Sequence, residues 1–144
     1  MSPHADPDAP PVIAQTVLDT DDPRQLAEFY RQLFGLTYRE GDDPPPPGEP
    51  DERGSDWLVL RNPGGVQLAF QQRDDYAPPT WGEETRPQML HLDTVVGSVA
   101  QLERQRERAE GLGARVVLDR VDDPEEPLYV LLDPAGHPFC IFVS

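Results

Sequence analysis

Asp22-Pro-Arg-Gln-Leu-Ala-Glu-Phe-Tyr-Arg-Gln-Leu-Phe-Gly-Leu36 is the stretch on which the reading of this chain turns. Asp22 is a helix N-cap, because a short carboxylate there accepts from amides that the first turn leaves free. Pro23 fits the first helical position, where the missing N–H costs nothing. Leu26, Phe29, Tyr30, Leu33 and Phe34 follow at helical spacing and make one apolar stripe. Gly35 stands where a helix ends in a left-handed glycine. Upstream, Val12 to Thr20 (VIAQTVLDT) is short and β-branched and predicts a strand. Downstream, Leu36–Glu40, Asp56–Arg61 and Val66–Gln72 predict three more, with Asn62-Pro-Gly-Gly65 as a turn. The unit is βαβββ.

The same order returns in the second half. Met89–Val96 predicts a strand, Val99–Leu112 a helix with a thin apolar face, and Arg115–Val121, Leu128–Leu132 and Pro138–Val143 three further strands. A shift of 76 residues sets Gln15 on His91, Gln25-Leu26 on Gln101-Leu102, Gly35-Leu36 on Gly111-Leu112 and Arg39 on Arg115. The expected fold class is therefore α+β, with two tandem βαβββ modules. Residues 1–11 read as a Pro-rich disordered arm. Residues 12–74 are the first module, interrupted at 42–54 by a loop expected to be extended and solvated. Residues 75–88 are a linker and 89–144 the second module. Four consecutive prolines at 44–47 exclude a central strand there.

Composition narrows the function. The chain has 144 residues, 12 basic and 27 acidic, for a net charge of −15. That charge repels nucleic-acid backbones and anionic membrane surfaces. All basic residues are Arg, so Schiff-base chemistry and a P-loop lysine are excluded. Cys140 is the single cysteine and cannot form an internal disulfide. There is no apolar run of about 20 residues and no secretory signal pattern. The expectation is a cytoplasmic protein.

The Asp22–Leu36 stretch, His91-Leu-Asp in the fifth strand and the closing Leu132-Asp-Pro-Ala-Gly-His-Pro-Phe-Cys-Ile-Phe142 together resemble the vicinal oxygen chelate superfamily. These are the glyoxalase and bleomycin-resistance-like proteins, and the chain looks most like their glyoxalase-like domain branch. The resemblance implies a curved, cup-shaped mixed sheet with its helices outside. It also implies four ligand positions for a divalent metal, which fall here on Gln15, Gln67, His91 and Cys140. Period 2 puts these four on one sheet face, with Leu68, Phe70, Leu90, Leu92, Phe139, Ile141 and Val143 toward the helices. The chemistry suits a metal poorly. The carboxylates that the resemblance leads one to expect are missing at Gln67 and Cys140, the Gln amides are weak neutral donors, and one imidazole with one thiol falls short of the three or four ligands that zinc takes. The expectation is no metal and no cofactor, with a divalent ion such as Zn²⁺ as the alternative.

His91 and Asp93, two apart on one strand face, are the candidate catalytic pair for metal-free acid–base chemistry. Trp57, Tyr76, Trp81, Tyr129 and Phe142 are candidate ligand-stacking aromatics. The expected ligand-binding set is Gln15, Trp57, Gln67, His91, Cys140 and Phe142. Three functions follow. The first is binding of a small organic molecule in the cup without metal, in a resistance or sequestration role. The second is a metal-dependent lyase, dioxygenase or epimerase, and the third an interaction module with a vestigial cup. Little charge guards the edges of the first and fifth strands. Pairing as a homodimer is therefore expected as well.

Overall fold

The structure, a computed structural model, describes residues 6–8, 12–82 and 85–144. The N-terminal arm expected over residues 1–11 lies mostly outside the described residues. Two four-stranded mixed sheets carry one helix each. The first holds β1 (Gln15–Thr20), α1 (Pro23–Phe34), β2 (Thr37–Tyr38), β3 (Trp57–Arg61) and β4 (Gln67–Gln72) in the strand order β1-β4-β3-β2. The second holds β5 (Leu92–Val96), α2 (Val99–Gly111), β6 (Arg115–Arg120), β7 (Leu128–Leu132) and β8 (Pro138–Val143) in the order β5-β8-β7-β6. In each sheet the first and fourth strands pair in parallel and the other pairs are antiparallel. The expected doubled βαβββ fold is the observed one. Among the described residues no helix is long and apolar enough to cross a membrane.

The strands are shorter than the sequence alone suggests, and the ladder explains why. Strand β1 starts at Gln15 because its partner β4 starts at Gln67, so Val12 and Ile13 are left exposed. Met89 and Leu90 likewise precede the first pair, Leu92 with Phe139. Strand β2 shrinks to two residues, paired with Leu60 and Arg61, because the chain then turns away at Gly41.

Helix α1 forms as its sequence dictates. The Asp22 carboxylate accepts from the Gln25 amide at 3.1 Å, and Gly35 closes the helix at φ 66°. Its apolar stripe is the centre of the whole core. Tyr30 stacks on Phe34 and Phe70, with centroids 5.5 and 5.9 Å away, and Phe29 meets Phe139 of the second module edge-on at 5.9 Å. The Tyr30 hydroxyl, itself fully buried, donates to Asp133 Oδ2 at 2.6 Å. Each such aromatic contributes on the order of 1.5–3 kcal/mol by leaving water. Helix α2 buries only Leu102 and Ala109.

The Pro-rich loop departs from expectation at its two ends. The Asp42 carboxylate is completely buried. It accepts from Arg53 Nη1 at 2.8 Å and from the Val59 amide at 2.9 Å, and it pairs with Arg39. Arg24 of α1 grips Asp51 through two nitrogens at 2.7 and 2.9 Å. A buried carboxylate needs such partners. The prolines between them are solvated for the most part, so the loop is a strap fastened at both ends.

Candidate functional site

Strand register sorts side chains onto the two sheet faces. In the first module Leu18, Phe70 and Leu58 pair across β1, β4 and β3 toward the helices. Gln15 with Gln67, Val17 with Ala69 and Val59, and Asp19 with Gln71 and Trp57 take the opposite face. In the second module Leu92, Phe139 and Leu131 face the helices, while Asp93, Cys140 and Val130 share the other face. Phe142, two residues beyond Cys140, pairs with Val95 and Leu128 on that same face. Leu68, Phe70, Leu92, Phe139, Ile141 and Val143 all join or pack against the core as expected.

Two expected placements are wrong. Leu90 does not turn to the helices, because strand pairing has not begun there; it is 42% exposed and lines a cavity with Val17 and Met89. Tyr129 is not available for stacking a ligand. It is buried on the helix side, where its hydroxyl meets Glu103 and Arg106 of α2 lies 5.5 Å over its ring.

The polar residues of the second module converge. The parallel ladder sets Asp93 beside Cys140, and His91, just ahead of the paired strand, reaches the same carboxylate. The Cys140 thiol donates to Asp93 Oδ1 at 2.9 Å, and His91 Nε2 lies 3.2 Å from the same oxygen. With the proton on Nε2, His91 donates to Asp93 and leaves Nδ1 as an acceptor. Burial, and then the Asp93 carboxylate, push the Cys140 thiol up to about 12. It is therefore no nucleophile at neutral pH. A small cavity of about 60 Å³ beside it is bounded by Trp81, Gln88, His91, Val130 and Pro138.

Gln15 and Gln67 do not line that cavity. The four positions that the resemblance offered to a metal divide into an amide pair on one module and a histidine–thiol pair on the other. As a set they do not fit a hard divalent ion, which wants carboxylates where Gln67 and Cys140 stand. The structure does add one donor that the resemblance did not mark. Asp93 brings the ligand atoms of His91, Asp93 and Cys140 within 4.8 Å of one another.

The linker between the modules is the part that sequence reasoning missed. The Tyr76 hydroxyl donates to the Ala135 carbonyl at 2.7 Å. Gly136, at φ 90°, lies so close to Pro78 that an added Cβ would stand 2.6 Å from the proline Cβ. The Thr80 amide donates to the Arg86 carbonyl and Arg86 Nη1 to the Pro78 carbonyl, which closes the linker on itself. Its Trp81 lines a cavity of about 350 Å³ together with Leu132 and Pro138. Prolines 78, 79 and 87 and the glycine of Asp-Pro-Ala-Gly were the available signals.

Between the linker and β1 lies a larger cavity of about 490 Å³, lined by Val17, Asp19, Tyr76, Arg86, Leu90 and His137 among others. His137 Nε2, 2.7 Å from the Asp19 carbonyl, ties the second module to β1 at its floor. Arg73 and Asp75 at the rim neutralise each other through two contacts of 3.1 and 3.2 Å. Burial, with the nearby carboxylates Asp133, Asp19 and Asp21, raises the Tyr76 phenol above its ordinary range. Tyr76 keeps its proton and serves as a donor.

A family model described as a glyoxalase-like domain matches residues 15–142. No curated protein sequence matches the chain. Solved structures share its fold. A glyoxalase/bleomycin resistance protein/dioxygenase family enzyme from Burkholderia phytofirmans superposes with a TM-score of 0.65 at 16% identity, over 91% of this chain and 97% of that one. A fosfomycin resistance protein from Mesorhizobium loti gives 0.63 at 14% identity, over 92% of each chain. A lactoylglutathione lyase from Agrobacterium tumefaciens gives 0.58 at 19% identity, over 94% of this chain and 95% of that one. At such identities the likeness concerns the fold.

Proposed function

The chain belongs to the glyoxalase-like domain family, and we propose that it binds a small organic molecule in the cavity between β1 and the linker, in a cytoplasmic sequestering role. The cavity carries this reading. Its volume of about 490 Å³ lies within the span of ordinary ligand sites, roughly 300–1,000 Å³. Val17, Leu90 and Met89 supply apolar wall, while Asp19, Tyr76 and Arg86 supply the few polar groups that fix an orientation. No metal is needed for such binding. The names of solved relatives include a fosfomycin resistance protein, which is compatible with a resistance role.

A thermal-shift screen of small aromatic and heteroaromatic compounds tests the reading. A ligand at 100 times its Kd adds about 2.7 kcal/mol to native stability. Leu90→Arg, which fills the cavity from an exposed position, abolishes the shift, whereas Cys140→Ser keeps it. A shift that survives Leu90→Arg and vanishes in Cys140→Ser moves the ligand to the second module and overturns the assignment.

The protein is also read as a homodimer. Strands β1 and β5 are each hydrogen-bonded along one edge only, and Val12, Ile13 and Met89 beside them are 90%, 77% and 95% exposed. A second copy related by a two-fold axis would cover both edges at once. Light scattering in 0.15 M salt, where charges are screened beyond about 8 Å, should give twice the chain mass. A mass of 16.1 kDa excludes the dimer.

A further inference from the structure

We propose that His91, Asp93 and Cys140 form a binding site for one thiophilic divalent cation, Zn²⁺ by its donor set, held by the second module alone. The three side chains offer an imidazole nitrogen, a carboxylate oxygen and a sulfur, all within 4.8 Å of one another. Ligand atoms around a tetrahedral zinc, at 2.0–2.3 Å from the ion, lie about 3.3–3.8 Å apart. The present contacts are 3.2 Å from His91 to Asp93 and 2.9 Å from Cys140 to Asp93. Admitting an ion opens the His91–Asp93 contact slightly and the Cys140–Asp93 contact by about 0.6 Å, a change within the reach of side-chain rotation. The backbone is already set, since the parallel ladder fixes Asp93 beside Cys140.

Charge and softness agree with this ion. Binding expels the thiol proton to solvent, and the resulting thiolate and carboxylate carry −2 against the +2 of the metal. A sulfur ligand selects against Mg²⁺ and Ca²⁺, which want oxygen. The chain's net charge of −15 draws cations in general. Three protein ligands leave a fourth position open, and His91 and Cys140 both line the small cavity bounded by Trp81 and Gln88. Gln15 and Gln67 have no part, so the site differs from the two-module arrangement that the resemblance implied. Counting only His91 and Cys140 leaves the ion underligated, and Asp93 supplies the missing donor.

Titration of the full-length, chelator-treated protein with Co²⁺ tests the proposal. The expected result is one equivalent bound, a thiolate-to-cobalt charge-transfer band in the near ultraviolet, displacement by Zn²⁺ and release of one proton per ion. Asp93→Asn should weaken binding at least about tenfold while circular dichroism shows the fold intact. Gln15→Leu and Gln67→Leu should leave affinity unchanged. Absence of the band in the wild type overturns the proposal, as does undiminished affinity in Asp93→Asn. Loss of affinity in Gln67→Leu equal to that in Asp93→Asn overturns it in favour of a two-module site. None of these outcomes touches the ligand cavity, whose own test is the Leu90→Arg variant.

Discussion

The two modules share an order of elements and divide the work between them. Helix α1 buries six of its twelve residues and presents aromatic rings to both sheets, whereas α2 buries two of thirteen and is otherwise a charged surface helix. On the opposite sheet faces the contrast reverses. The first module offers neutral amides at Gln15 and Gln67, while the second gathers His91, Asp93 and Cys140 into one contact. A doubled fold need not duplicate its burdens: here one copy supplies cohesion and the other the titratable chemistry.

The contrast in cohesion predicts the largest effect. Tyr30→Ala should cost about 3–5 kcal/mol, and Leu102→Ala the low end of the 2–5 kcal/mol range for buried leucines. Urea denaturation measures both, and equal losses would break the comparison. Tyr30→Phe comes next. Among the described residues it leaves the Asp133 carboxylate the Ala135 and His137 amides as donors, at 2.8 and 3.0 Å, and should cost about 1–3 kcal/mol.

The contrast in chemistry is sharpened by thiol reactivity. The wild-type Cys140 thiol, pushed up to about 12, should alkylate slowly at pH 8. Asp93→Asn keeps an acceptor oxygen but removes the charge that helps raise it, so the thiolate fraction grows about tenfold for each pKa unit recovered. Iodoacetamide kinetics followed against pH report this, and an unchanged rate profile would separate Asp93 from Cys140.

The smallest effect concerns the strap that α1 holds. The Arg24 guanidinium, through its hydrogen bond, lowers the Asp51 carboxyl below its usual range. The clamp is therefore fully present above the ordinary aspartate pKa and is lost as the pH falls through the lowered one. Arg24→Met should change global stability by no more than about 1 kcal/mol, because the pair is partly solvated. It should nonetheless speed trypsin cleavage at Arg53, and acid should do the same to limited proteolysis of the wild type by pepsin.

What the sequence made legible was local. The N-cap at Asp22, the stripe from Leu26 to Phe34 and the glycine at 35 each act within a few residues, and the period-2 pattern of β4 and β8 reads off its core face directly. What stayed hidden depends on partners far along the chain. Asp42 looks like one more solvated acid beside prolines, until Arg53 and Val59 return to it. Trp81 looks like linker, until Leu132 and Pro138 join it around one cavity. The pairing of Asp93 with Cys140 spans 47 residues and follows from strand register rather than from any motif. Tyr129 alternates in phase with its strand, and only the position of α2 shows which face its ring takes.

The hydrogen bond from Tyr30 to Asp133 joins residues 103 positions apart. It carries a consequence for the order of assembly during synthesis. Helix α1 can form as soon as it leaves the ribosome, yet Phe139, whose ring meets Phe29, is made 110 residues later. A nascent chain truncated before β8 thus exposes Phe29 and Tyr30 on one side, and β5 is left with no parallel partner. Such non-local closure slows folding and lengthens the time that apolar surface is open to aggregation. The acidic, lysine-free surface supplies the repulsion that keeps neighbouring nascent chains apart over that interval.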